Sequence, residues 1–507
     1  MTSMPPAKHA GWSSRRLGGL AATVLVSAVF LLLVAGAVAH REVPWTLKAI
    51  LLLLLAASGA APVLGAAALI VLLPLATVMA GGALGRGLTD VLLLTFLSGA
   101  SLRLTFPDYD LPGRLRGPAL VLIVAVVASA VVELQALQTV FPVRPLASEL
   151  WSSVTSGSWI VSADFVSVRE AVRWIAGLVA AVYLERLIWR WPGSTWWIVR
   201  AWLTAGVAGG IVTAWYVTPR GHSWGELLNI FLHERVSALQ PDLNAAGSYF
   251  ALFVIPAVVV GLRRRSVWVL VGVVPLTLLP FWLAQSRAAI GAVVLTLAAA
   301  GVRQLWRQKR GRLAVVSALG GAGVLAAALI VTAQTHIGLG GAAGVRVELA
   351  EVGLLTSRHY PVFGVGLGDY IRMSRRWVRP EMVQLYNYLP RGENAHNNYL
   401  QILVELGLPA CLIFLVLVGT VVWSAWRLPP ESRSPELTGM ALGVTAFLIS
   451  AFFGHPLLLA PVSAAFFLGL GISAGLLPPR AVQARWRHWL VGAGVLFYLL
   501  SVWWRIG

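Results

Sequence analysis

Residues 334–398 read QTHIGLGGAAGVRVELAEVGLLTSRHYPVFGVGLGDYIRMSRRWVRPEMVQLYNYLPRGENAHNN, and their surroundings make them decisive. They form the one long polar interruption in a chain built almost wholly of apolar runs of helix length. The 65 residues hold seven arginines (Arg346, Arg358, Arg372, Arg375, Arg376, Arg379 and Arg391) and five acids (Glu348, Glu351, Asp369, Glu381 and Glu393). They end in Ala395-His396-Asn397-Asn398-Tyr399-Leu400, where the next apolar run begins. A loop this long is uncommon without a function, and arginines with a histidine at a membrane boundary suit an anionic substrate.

Outward from that loop, composition sets the class. The chain has 507 residues, 58% hydrophobic and 12% charged, with mean hydropathy +0.79. Soluble domains carry about 25% charged residues. An all-α, polytopic transmembrane bundle follows, forming a single integral membrane domain over 1–507. Apolar runs fall at 17–39, 46–58, 60–80, 88–106, 117–137, 172–189, 197–216, 247–262, 266–283, 286–303, 312–333, 399–425, 438–454, 458–477 and 487–504. Because several are short, the expectation is roughly 12–15 helices. Net charge is +19. Much of that excess lies in short loops and flanks, where the positive-inside rule puts it, so nucleic acid is the weaker explanation. The 22 tryptophans suit interfacial anchoring. Cys411 is the only cysteine, which excludes internal disulfides and makes a thiolate metal cluster very improbable. The first run ends Ala37-Val38-Ala39, resembling a cleavage site, but it is long enough to span and reads as an uncleaved helix.

Orientation follows from the short cationic loops. Arg303, Arg307, Lys309, Arg310 and Arg312 stand together without an acid, and Arg263-Arg264-Arg265 lies two spans earlier. Lys8, Arg15, Arg16, Arg480, Arg485 and Arg487 agree. These segments are expected on the cytoplasmic side with the N-terminus. Alternation then puts Arg287, the smaller 138–171 and 217–246 loops and the large 334–398 loop outside. The large loop is expected to contain short amphipathic helices.

Individual residues admit plainer readings beside functional ones. Arg287, in Gln285-Ser286-Arg287-Ala288, is either a snorkelling arginine or an anion-binding group at a helix start. Arg346 lies in a stretch where Val345, Leu349 and Val352 repeat at helical spacing, which predicts an amphipathic helix on the membrane surface. It is either that helix's solvated face, paired with Glu348 or Glu351, or a functional cation. His396 is either a hydrogen-bonded structural histidine at a helix start or a proton acceptor. Gly364-Val365-Gly366-Leu367-Gly368 lacks a preceding strand and a lysine, so a tight turn outweighs a phosphate cradle. Asp108-Tyr109-Asp110 has metal-site spacing but falls on the cytoplasmic side. Asp90, Glu133 and Glu185 lie within or beside apolar runs and form no evident relay.

The order of these segments resembles the O-antigen ligase and O-antigen polymerase superfamily of bacterial membrane glycosyltransferases. The resemblance spans about residues 200–425. It rests on Pro241-Asp242-Leu243-Asn244-Ala245-Ala246, Gln285-Ser286-Arg287-Ala288, Arg346, Pro361-Val362-Phe363-Gly364-Val365-Gly366, and Ala395-His396-Asn397-Asn398-Tyr399-Leu400 running on to Glu405-Leu406-Gly407. It implies metal-independent, inverting transfer of a glycan from an undecaprenyl-diphosphate carrier, without a cofactor, in the bacterial inner membrane with the site on the periplasmic face. By position, Arg287 and Arg346 would bind the diphosphate, with Arg346 also catalytic, and His396 would be the general base. Asn244, Asn397, Tyr399 and Glu405 would support them, and no metal ligand is expected. The partners would be a lipid-linked oligosaccharide, an acceptor glycan or glycolipid and membrane lipids, with no nucleic acid. The segment 138–171 (Trp151, Trp159, Asp164, Glu170) has no counterpart in the resemblance. Three functions remain open: ligation onto a glycolipid in lipopolysaccharide or surface polysaccharide assembly, repeat-unit polymerisation with the same donor chemistry, and transport of an anionic solute.

Overall fold

The computed structural model describes residues 14–40, 43–79, 87–102, 113–140, 146–160, 165–218, 223–237, 239–313, 315–316, 320, 342–380, 392–479 and 486–506. Asp108-Tyr109-Asp110, Asp164, Glu381, Arg391 and most of the expected 312–333 span lie outside the described residues. Among the described residues there are helices and no strand. In chain order they are α1 (Ser14–Ala39), α2 (Trp45–Ala60), α3 (Pro62–Leu72), α4 (Ala76–Met79), α5 (Leu88–Leu102), α6 (Arg116–Val140), α7 (Leu146–Ser156), α8 (Val166–Arg190), α9 (Thr195–Val217) and α10 (Trp224–His233). Then come α11 (Leu243–Arg264), α12 (Val274–Leu283), α13 (Arg287–Arg307), α14 (Ala342–His359), α15 (Tyr370–Ser374), α16 (Asn398–Arg427), α17 (Pro435–Ser450), α18 (Ala460–Leu476) and α19 (Trp486–Ile506). By length and composition α6, α9, α11, α13 and α16 can each cross a membrane, and eight shorter apolar helices accompany them. The chain is an all-α polytopic bundle.

Two helix pairs form the centre, α8 with α18 and α11 with α17. With no water in the bilayer to drive apolar association, close packing has to do it, and small residues permit close packing. A side chain at Gly471 would lie 2.5 Å from the Ala181 carbonyl oxygen, and one at Gly439 would lie 2.8 Å from the Pro256 Cα.

Helix α16 is broken. Gly407 has φ 83° and ψ 171°, values that no helix contains, and Pro409 follows it. The break frees carbonyls that cannot be left bare at this depth. The Gly364–Gly368 turn supplies donors: Val365 N–H bonds to Val404 O at 2.9 Å and Gly366 N–H to Glu405 O at 3.2 Å. In return, Leu408 N–H donates to Pro361 O at 2.8 Å. Positive φ at Gly364, Gly366 and Gly368 bends the turn into this fit. The glycine-rich segment is therefore a turn, and its backbone patches a helix break.

Helix α14 forms over the predicted stretch, but not where expected. Val345, Leu349 and Val352 are buried. They pack against Tyr370, Val378, Leu400 and Val404, so protein rather than lipid covers the stripe. The first half of α16 presents Leu400 and Val404 at that spot, which is why the helix docks inward. The 138–171 segment is also more regular than a loop. It contains the end of α6, α7 and the start of α8; Trp159 is buried and Trp151 exposed. The 217–246 segment carries α10, started by a capping box in which Ser223 and Glu226 exchange bonds of 3.2 Å.

The buried charged groups of α5 and α8 have partners. Arg173 on α8 donates to Asp90 on α5 at 3.0 and 3.1 Å, to Glu170 at 2.6 Å and to the Leu458 carbonyl at 3.3 Å. Glu185 accepts the backbone N–H groups of Arg114 (2.7 Å) and Leu115 (3.2 Å). Removing one member of a buried ion pair leaves the other charge uncompensated, at about 3–5 kcal/mol. Arg173→Met should therefore lower the thermal midpoint of the detergent-purified protein sharply. Adding Asp90→Asn and Glu170→Gln should recover most of the loss. Full stability of the single variant would contradict this account.

Candidate active site at three helix starts

The chain enters α16 through an unusual residue. His396 has φ 45°, in the left-handed region that costs an L-residue about 1–2 kcal/mol. Its neighbours hold it there. His396 N–H donates to Asn394 Oδ1 at 3.0 Å, and Ala395 N–H donates to Gln401 Oε1 at 2.9 Å. Asn397 caps the helix by accepting from Tyr399 N–H (3.0 Å) and Leu400 N–H (3.1 Å). Gln401 in turn donates to buried Glu405 at 2.7 Å. A turn that Asn394, Asn397, Gln401 and Glu405 all constrain can keep a strained residue at its tip. Asn397 and Glu405 thus support His396 through the backbone. Tyr399 does so by packing: its hydroxyl donates to Leu448 O at 2.7 Å, and its ring lies 4.2 Å from that of Phe452.

Two further helix starts meet this one. Asp242 caps α11 by accepting from Ala245 N–H at 2.6 Å. Ser286 caps α13 by accepting from Ala289 N–H at 3.3 Å, and the α13 start packs directly on Gly247 of α11. Ser450 Oγ at the end of α17 donates to Ser248 Oγ at 2.9 Å, and Asn398 N–H donates to Ala451 O at 2.8 Å. The three positive helix ends therefore lie in one layer, a setting that favours an anion. Arg287 is the first residue of α13 and is exposed. Before it Gln285 adopts φ 43°, and its side chain donates to Glu234 O at 3.0 Å. Asn244 accepts from Arg235 at 3.1 Å.

Arg346 is exposed on α14, and its charge acts on His396. Of the two readings of Arg346, pairing with Glu348 or Glu351 is not what forms. Those acids bond Arg379, at 3.2 Å for Glu348 to Nε and 2.9 Å for Glu351 to Nη2. Glu348 points into the loop's own core, and Arg379 reaches it there.

Sequence reading missed His455. Its ring meets that of His396 edge to face, with centroids 4.9 Å apart and planes at 77°. Only strict alternation of the last spans hinted that Gly454-His455-Pro456 and His396 share a face. Glu393 Oε1 lies 3.9 Å from His396 Nε2. Burial pushes the His396 imidazole below its ordinary value. Glu393 and Asp242 oppose that shift, and Arg346 adds to it. Burial, with His396 beside it, takes His455 down to about 4. The result is a half-buried, neutral imidazole within reach of a guanidinium's charge at clustered helix starts, able to accept a proton. A separate apolar cavity of about 580 Å³ opens at the far end of α14, between Val132 of α6, the 359–364 turn and Phe497, Leu500 and Trp503 of α19.

Comparison with known families matches residues 250–415 to the O-antigen ligase family model. This part of the chain is similar to O-antigen ligases. The matched residues include Arg287, Arg346, His396 and the broken helix through Gly407. Asn244 and His455 fall outside the O-antigen ligase match. No curated protein matches the chain.

The two imidazoles bear on the stability of the fold. Both are neutral when folded and titrate near 6.5 when unfolded. The unfolded chain therefore binds more protons below that pH, and stability falls on acidification, for His455 down to about 4. The thermal midpoint in detergent should hold above pH 6.5 and decline below it. His455→Phe should flatten much of the decline, and an identical acid limb in that variant would contradict the assignment.

Proposed function

We propose that this chain transfers a glycan from an undecaprenyl-diphosphate carrier to a sugar hydroxyl on its acceptor, in the manner of an O-antigen ligase. The reaction would take place on the external face of the bacterial inner membrane, with the N-terminus in the cytoplasm. The observation that carries this reading is a neutral imidazole, held on a left-handed backbone and under the charge of the Arg346 guanidinium, where three helix starts cluster.

In the proposed step the acceptor oxygen attacks the anomeric carbon. Its proton passes to His396. The bond from that carbon to the diphosphate oxygen breaks, and the electron pair leaves with the diphosphate. Attack opposite the leaving group inverts the anomeric centre. Negative charge grows on the diphosphate as the bond breaks. Arg346 and Arg287 would meet that charge with bidentate donors, and the helix ends would add their dipoles. Those fixed charges supply the stabilisation, so this reading requires no metal. The polyprenyl tail is hydrocarbon and would suit apolar surface such as the 580 Å³ cavity.

Purified protein given a lipid-linked oligosaccharide and candidate acceptor glycolipids tests this directly. His396→Ala should lower turnover by about 10²–10⁴-fold, the usual worth of a general base. Arg346→Ala should lower it by about 10- to 100-fold for each lost charge-assisted hydrogen bond. Both variants should remain as abundant as the parent. Normal transfer by either would remove it from the machinery. A product ladder built on the lipid-linked oligosaccharide itself would replace ligation with polymerisation.

A further inference from the structure

We propose that His455 is a positioning residue for His396, its ring walling one side of the neighbouring imidazole so that this side is kept from water and the base points one way. The proposal rests on His396 being the base.

Three anchors place His455 independently of His396. Asn398, in the first turn of α16, grips both sides of the 451–457 turn: its N–H donates to Ala451 O at 2.8 Å, and its Oδ1 accepts from Leu457 N–H at 3.0 Å. Arg173, held in the buried charge network, donates to Leu458 O at 3.3 Å. The wall is thus fixed to the helix start that carries His396 and to the centre of the bundle. Edge-to-face contact at 4.9 Å leaves no room for water between the two rings over that side. The charged groups that act on His396 are Glu393 from its own segment, Arg346 from α14 and Asp242 from the α11 start. His455 is the uncharged ring among them.

Packing alone does not explain a histidine here. Its Nδ1 is buried without a hydrogen-bond partner. A phenylalanine would fill similar space without leaving a polar atom bare, so the imidazole adds something to the wall beyond its bulk, and His455→Phe is expected to restore the wall but only part of the rate.

The test has one arm that does not depend on activity. Diethyl pyrocarbonate modifies neutral imidazole, so mass spectrometry of the His396 peptide against pH reads that residue's protonation directly. In His455→Ala, water should reach the exposed face. The pH midpoint for His396 modification should then rise toward 6.5, its ordinary value. Turnover should fall by about 10-fold or more with little change in KM, and the acid limb of the rate profile should move to higher pH. His455→Phe, which restores a wall, should return the midpoint and part of the rate. If the alanine variant fails to fold, His455→Gln keeps the volume without a ring and should behave as alanine does. An unmoved His396 midpoint and an unmoved acid limb in a folded ring-less variant would overturn the proposal. If the midpoint moves but His396→Ala still transfers glycan normally, the pair is real and the general-base assignment is what fails.

Discussion

Where the long helix breaks at Gly407, carbonyls come free at a depth where only protein can satisfy them. Much of the site's placement follows from how they are satisfied. Residues 361–366 lay their backbone across the gap, which fixes the polar loop against the first half of α16. That half-helix then serves as a platform. Its Leu400 and Val404 receive the apolar stripe of α14, bringing Arg346 within electrostatic range of His396. Gln401 and Glu405 tie down the turn on which His396 stands. A continuous helix would leave the loop without a seat.

The layer of helix starts follows from equally local causes. Asp242, Ser286 and Asn397 each satisfy N–H groups that their helices cannot bond internally. Gly247 lets the α13 start press against α11. Arg173, buried on α8, is held by Asp90 on α5 and by Glu170 on its own helix.

The fold class was legible because apolar runs of helix length leave few other architectures, and the candidate residues because they punctuate those runs. Other features depend on partners distant in sequence. The Val345, Leu349, Val352 stripe signals a buried face, but it does not say whether lipid or protein covers it. Glu348 and Glu351 bond Arg379, which lies 31 and 28 residues away and outside any helical spacing rule. His455 stands 59 residues beyond His396 in a short turn, and nothing near it in sequence signals a ring partner. The glycine turn was readable as a turn, but its role in the broken helix was not, because that role belongs to Gly407.

The left-handed backbone at His396 has a consequence for anyone who would move this chemistry elsewhere. A residue in that region launches its Cβ from the side of the chain opposite to that used by a helical or extended residue. The imidazole therefore occupies a direction that regular backbone at the same point could not deliver. Transplanting histidine and arginine onto another membrane scaffold would reproduce the composition and miss the aim. What must be grafted is the whole turn from Asn394 to Gln401, with the residues that keep it bent.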